Sequence, residues 1–485
     1  MTRRKIVAGS VAFLLVASAG AFAGVRWWGE RCEAMVGPVP ASQKVPSVHA
    51  VKPADVNLQP LAEDLRGYAR DVLAQAARTP ELGVLRSVAV AADEESLAPR
   101  DPKEVVGIAD GAPLVLFDQR ELRGKLQVRA GALTRLAGEA GGTDWARWYN
   151  GSDLEAVKTP YGLVLAQRPD GKVPQVTSVD PGSGKLHWCV PVGGEYTSAE
   201  VATGDSGLFV LSGVEHTLGD RPSTLRSLDP ANGKTRWRAR LGGFDDLGTV
   251  DVFGDKVLVT QWGTKVDDSV GIPQADNETG GVETDGGSLR AFHADNGRAA
   301  WEYAGPDHND WAMSVVGVAD ATAVVLARRS PVPEHSWTRK DQNWLIGLGP
   351  DGTERWRQDL GNQISGHSNS GIRMAGDVVL RFESTFDATT STQTVVARDA
   401  STGKVRWSKT VDGDQAFDQE HVAVADGKLL IAQSPNLVSV DLISGAVRPL
   451  LTDHPRRPVL DVKVDGRVVV AQAAGLILTF ERGPR

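Results

Sequence analysis

Ser227-Leu-Asp-Pro-Ala-Asn-Gly-Lys-Thr-Arg-Trp237 decides the fold, because the same arrangement returns along the C-terminal two thirds of the chain. It reads as an alternating strand, an Asp, three turn residues, a Gly, a basic residue, two more residues and a Trp. Asp180, Gly184, Lys185 and Trp188 repeat it, as do Asp399, Gly403, Lys404 and Trp407. Other copies have drifted: His293 stands for the Asp before Gly297, Arg298 and Trp301, and a turn one residue shorter precedes Gly352 and Trp356. Asp441 with Gly445 has lost its Trp. An Asp or Asn opens a tight turn by bonding its own backbone, and Gly takes the positive-φ position that a branched residue resists. One Trp per repeat, at a fixed offset on the outgoing strand, supplies a large apolar anchor between stacked sheets. Trp188, Trp237, Trp301, Trp356 and Trp407 are therefore expected to dock neighbouring blades.

Working outward, a second element recurs: a short apolar strand, an Asp or Gly turn, and another strand. It appears at 108–116, 159–165, 202–211, 252–259, 318–326, 374–380, 424–431 and 464–470. Paired with the Trp-type hairpin it makes a unit of four strands and roughly 40 to 65 residues, the size of a propeller blade. The last unit has only three strands, ending with Leu476 to Phe480, whereas the strand-like run Leu85 to Ala91 precedes the first unit. Joining the two closes a ring and removes its exposed edges. The expected fold is all-β: an eight-bladed β-propeller of four-stranded blades over 85–485. Seven blades is the alternative, if 105–136 is an extra lobe.

Upstream lie a leader, a linker and a helix. Arg3, Arg4 and Lys5 precede an uncharged, mostly apolar run from Ile6 to Val25, followed by Arg26, Trp27 and Trp28. About 20 apolar residues span a bilayer, and basic residues ahead of them keep that end in the cytoplasm. Residues 1–28 read as a single-pass membrane anchor with the C-terminal body outside the cytoplasm, or as a cleaved signal at Ala21-Phe22-Ala23, which leaves a secreted body. Arg3-Arg4 only weakly fits a twin-arginine signal, and Gly29-Glu30-Arg31 before Cys32 is no lipobox. Residues 29–57, with Pro38, Pro40, Pro46 and Pro53, read as an extended linker. In 58–84, Leu58, Leu61, Leu65, Tyr68, Val72, Leu73 and Ala76 fall at the spacing of one amphipathic helix that docks on the body.

The formal net charge is −8, with 53 Gly and 26 Pro. A turn-rich, acidic chain suits an all-β repeat protein and lacks the basic stripe that nucleic acid requires. Cys32 and Cys189 are the only cysteines. Two unpaired thiols are expected, with pairing in an oxidising compartment as the alternative.

Asp399-Ala-Ser-Thr-Gly-Lys-Val-Arg-Trp407 closely resembles the repeat of the pyrroloquinoline-quinone (PQQ) type eight-bladed propellers, and the resemblance covers about 100–482. It implies the ring fold and a docking role for the motif. It leaves function open, since that superfamily includes quinoprotein dehydrogenases, a propeller lipoprotein of outer-membrane assembly and exported binding modules. The dehydrogenases carry a disulfide between adjacent cysteines and calcium ligands in inserted segments. This chain has no Cys-Cys and no segment that matches those ligands.

The connections arriving at each innermost strand are where a funnel site is built. They supply Tyr196, Asp245, Asp246, Asp307, His308, Asn309, Trp311, His367, Asn369, Gln419 and His421 as candidate ligand-binding residues. Solvated loop residues are the competing reading. Asp144-Trp145-Ala146 and Asp310-Trp311-Ala312 match each other at what read as equivalent blade starts, which favours packing for both Trp. His308, His367 and His421 lack local metal-ligand spacing, and the acidic insertion 265–287 lacks a calcium-loop pattern, so no metal is expected. No Gly-x-Ser-x-Gly elbow, P-loop or His-Glu-x-x-His motif occurs. The sequence thus reads as a non-enzymatic, membrane-anchored extracytoplasmic propeller, without a cofactor, that binds a protein, peptide or small ligand. The alternatives are a PQQ- and calcium-dependent oxidoreductase and an envelope assembly scaffold.

Overall fold

In the computed structural model the repeat turns are closed by the bonds their residues favour. Asp180 Oδ1 accepts from Ser183 N at 2.7 Å, and the Gly184 N–H donates to Asp180 O at 2.7 Å. Gly184, Gly233, Gly297, Gly352, Gly403 and Gly445 all adopt positive φ, from 65° to 80°. The structure describes residues 36–38 and 50–483, apart from 62, 91–101, 110, 124–125, 137–144, 151–152, 169–172, 193–196, 215–222, 242–245, 263–286, 307–310, 330–339, 365–370, 387–390, 413–415, 434–435, 453–460 and 474. The leader lies outside these residues. No helix among the described residues is long and apolar enough to cross a membrane.

Each turn joins the third and fourth strands of one of eight antiparallel sheets, and each sheet is a blade. The innermost strands of blades 1 to 8 are Pro102–Ala109, Asp153–Thr159, Thr197–Gly204, Asp246–Phe253, Ala312–Ala319, Ile372–Ala375, Phe417–Ala425 and Asp461–Asp465. Each touches the next, and the last touches the first. The segment 105–136 belongs to blade 1, which removes the seven-bladed alternative.

Closure follows the expected pairing. Val84–Val90 forms the fourth strand of blade 8 against Leu476–Glu481, with Leu85 opposite Phe480 and Val90 opposite Leu476. Ring ends joined in this way leave no unpaired internal edge.

The 29–57 segment is more than a spacer. Val36–Pro38 adds a fifth, outer strand to blade 1, with Val36 opposite Tyr149, and Ala50–Val51 adds one to blade 8, with Ala50 opposite Ala89. Outermost strands carry a row of unpaired N–H and C=O groups, and a chain held extended by prolines is a ready partner for them. The cysteine expectation is also corrected. Cys189, on the outermost strand of blade 2, is disulfide-bonded, and Cys32 is the only other cysteine in the sequence.

The helix forms over Glu63–Ala76. Its Ala69, Val72 and Ala76 are buried with Leu437, Leu450 and Leu451 of blade 7 and Val469, Leu478 and Phe480 of blade 8. Gln75 Oε1 accepts from Thr452 N at 2.9 Å, and Glu81 pairs with Arg448. Pro449 stands four residues after Gly445, where the other copies carry Trp. The helix fills the seam that this missing indole leaves.

One repeat Asp is poised to report on acid stability. Asp399 accepts from Arg406 Nη2 at 2.6 Å, Ser401 Oγ at 2.6 Å and Thr402 Oγ1 at 2.9 Å. These bonds, Arg406 foremost, hold its carboxyl far below its ordinary value of 3.8. A carboxylate depressed in the folded state stabilises above its unfolded pKa, and that increment disappears as pH falls from there towards the folded value. Asp399→Asn is therefore expected to lower the unfolding midpoint at pH 7 and to flatten its fall below about pH 4. Melting curves across that range check both effects.

Candidate functional site

Two faces of the ring differ in what the repeats place there. The Asp-to-Gly turns lie on one face and are spent on joints. Trp188 Nε1 donates to Pro230 O at 3.0 Å, and a Cβ on Gly233 would lie 2.6 Å from that indole, so the ring lies flat against the next blade's turn. The same joint is made by Trp237 to Ala294 O, Trp301 to Pro350 O, Trp356 to Ala400 O and Trp407 to Leu442 O. Each indole covers the turn Gly of the following blade, Gly297, Gly352, Gly403 and Gly445 in turn.

Trp145 makes a sixth joint, to Pro181 O at 2.9 Å over Gly184. It sits on the fourth strand of blade 1, whereas Trp311 immediately precedes the innermost strand of blade 5. The Asp-Trp-Ala match thus paired two non-equivalent positions. Gly141, four residues before Trp145, was the available signal, obscured because no Asp stands four residues ahead of that Gly.

The opposite face, the mouth, is where each innermost strand begins and each second strand ends. Tyr196, Asp245, Asp307, His308, Asn309, His367 and Asn369 lie outside the described residues. Trp311 is only 2% exposed and packs with Met313, Leu258 and Leu289 between blades 4 and 5. It has a packing position and offers no surface to a ligand. Asp246 opens the innermost strand of blade 4 and is followed by a bulge between Leu247 and Val250. Gln419 and His421 lie in a larger bulge of blade 7, where the register passes from Phe417 opposite Gln433 to Val422 opposite Ile431. Bulges re-aim side chains and are frequent beside binding sites.

Sequence reasoning missed the polar groups buried beneath this face. Asp461, first residue of the innermost strand of blade 8, is 5% exposed, and neither carboxylate oxygen has a hydrogen-bond partner. Gln261, near the end of the second strand of blade 4, is fully buried with both amide atoms unpartnered, and Ser288 directly opposite it is also unpartnered. Leaving such groups unpaired costs about 1–3 kcal/mol each, more for a charge. Their burial depends on the opposing blade, which no local pattern announces. At the other end of the channel, Lys158 of blade 2 reaches past blade 1 to Asp465 of blade 8 at 2.6 Å.

Among the described residues no group of three or more His, Cys, Asp or Glu converges as a metal site. Cys189, already disulfide-bonded on blade 2, is no member of an adjacent cysteine pair.

The family model described as outer membrane protein assembly factor BamB matches residues 172–332 and 334–480, more than half of the chain. No curated protein matches. Among solved structures, BamB from Moraxella catarrhalis is 15% identical at a TM-score of 0.32, covering 68% of this chain and 94% of that one. A quinohemoprotein alcohol dehydrogenase from Pseudomonas putida is 10% identical at a TM-score of 0.43, covering 78% and 73%. Hydrazine synthase of Kuenenia stuttgartiensis is 10% identical at 0.39, covering 68% and 97%.

Proposed function

The chain belongs to the PQQ-like repeat propeller family described as outer membrane protein assembly factor BamB, and from that premise we propose that it is an exported, non-enzymatic ring that binds a partner protein on its mouth. The observation that carries the reading is the pair of bulges at the mouth, one after Asp246 in blade 4 and one around Gln419 and His421 in blade 7, where the ladder of an innermost strand is broken. Backbone groups released from the ladder at these bulges, and side chains re-aimed by them, are available to a docked partner. Export is supported by the disulfide at Cys189, since such bonds persist in oxidising compartments. The apolar run Ile6 to Val25 then holds the ring at the membrane.

The test is cross-linking of the tagged full chain in its own membranes, comparing wild type with the double change Asp246→Lys and His421→Glu at the mouth. A defined partner is expected to be cross-linked by wild type and lost from the variant, with the melting temperature of the ring unchanged. Partner capture indifferent to the mouth changes overturns the reading. So does reproducible dye-linked substrate oxidation after addition of PQQ and calcium.

A further inference from the structure

An arginine stripe runs along the rim of blade 3. Its outermost strand, Thr235–Leu241, carries Arg236, Arg238 and Arg240, all exposed and alternating with Trp237, Ala239 and Leu241. Alternate residues of a strand share a face at about 7 Å spacing. Arg226 on the neighbouring strand lies directly opposite Arg238, and Lys234 continues the positive charge at the turn. The only carboxylate paired with these groups among the described residues is Asp229, 3.6 Å from Arg236. Crowding shows at Arg226, whose guanidinium is pushed below its ordinary pKa by burial and by Arg238.

Arg236 keeps with Asp229 the pairing that Arg406 keeps with Asp399, whereas Arg238 and Arg240 have no carboxylate partner among the described residues. Arg406 of blade 6 is held by Asp377 and Asp399, Arg357 of blade 5 by Glu354, and Arg448 of blade 7 by Glu81. A stripe in which Arg238 and Arg240 meet no carboxylate among the described residues, on a chain of net charge −8, calls for an anionic partner outside the ring.

The course of the N-terminal segment indicates which one. Traced backwards, it pairs with blade 8 at Ala50–Val51 and with blade 1 at Val36–Pro38, and the remaining cysteine, Cys32, is the one available to the disulfide of Cys189 on blade 2. The next rim in that direction is blade 3, and Pro191, two residues beyond Cys189, accepts from Arg226 Nη1 at 3.4 Å. The apolar run Ile6 to Val25 ends seven residues before Cys32, a reach of at most about 24 Å. We propose that Arg236, Arg238 and Arg240 dock the rim of blade 3 on anionic phospholipid headgroups, so that the ring lies with this edge on the membrane and its mouth free. Basic residues close to an anchored surface are attracted to anionic lipid within a Debye length, about 8 Å in physiological salt. The inference rests on the membrane-anchored reading above.

The experiment places the full chain in nanodiscs of phosphatidylcholine alone or mixed with phosphatidylglycerol and follows amide exchange in Thr235–Leu241. The outward amides of this outermost strand have no ladder partner, so contact with a surface slows them. Slower exchange is expected in the phosphatidylglycerol discs, reversed by high salt and absent from R238E/R240E. Equal exchange in both lipids, or protection that persists in R238E/R240E, overturns the proposal. Failure of the chain to insert into either disc tells against the anchor instead. Flotation of that soluble form with phosphatidylglycerol vesicles then reads the stripe on its own, with salt-sensitive binding lost in R238E/R240E expected and no binding overturning it.

Discussion

Trp188→Ala is expected to destabilise the ring by about 3–5 kcal/mol, the usual cost of removing a buried Trp. The indole is 8% exposed and shares a core with Val164, Val176, Leu208 and Leu228, so its loss opens a cavity between blades 2 and 3. The Pro230 carbonyl loses its donor as well. Trp188→Phe separates the two terms, because it keeps most of the apolar area and removes only the N–H, for a cost of about 1 kcal/mol from the hydrogen bond. Trp237 is half-buried and packs its ring 5.9 Å from Phe209, so Trp237→Ala should cost less than Trp188→Ala. Urea titrations of the variants measure all three values. An unchanged midpoint for Trp188→Ala would contradict the joint as a source of stability.

Cys189→Ala is expected to cost about 3–5 kcal/mol, by the chain-entropy account of cross-links. The bond from Cys189 to the chain's other cysteine closes a loop of 157 residues, which the unfolded chain would otherwise explore. It also secures the segment that adds outer strands to blades 1 and 8. Wild type in reductant should melt where Cys189→Ala melts without it, and the variant should ignore reductant. A wild-type midpoint insensitive to full reduction would show that the cross-link contributes nothing to the ring.

The residues that announced the fold are those whose chemistry acts over a few positions. Gly403 and Asp399 specify a turn wherever the chain carries them, and the Trp four residues later faces the next blade by strand alternation alone. The closing pair 84–90 and 476–481 was readable as the one strand in excess and the one in deficit. Trp145 was legible as a packing residue but not as a blade joint, because no repeat Asp precedes it, although the joint it makes is the same. At blade 7 the pattern showed that an indole was missing, and the packing revealed the helix Glu63–Ala76 in its place. The mouth was legible as a location, through Asp246, Gln419 and His421 at the starts of innermost strands, while Trp311 among them turned out to be core.

Sequence alone determined the repeat, the order of the blades and the closing pair, because strand period and turn chemistry are local and repeat, while the place of 105–136 as a full blade was decided by the sheet pairing. The tertiary structure decided which polar groups remain unsatisfied and which charges remain unpaired. Asp461 differs from an ordinary surface carboxylate only because blades 1 and 7 close around its strand. Arg406 is neutralised by Asp377, 29 residues away, whereas Arg238 meets no carboxylate at all among the described residues. Burial and charge pairing are set by neighbours brought together from distant parts of the chain, and the ring has to close before those neighbours exist.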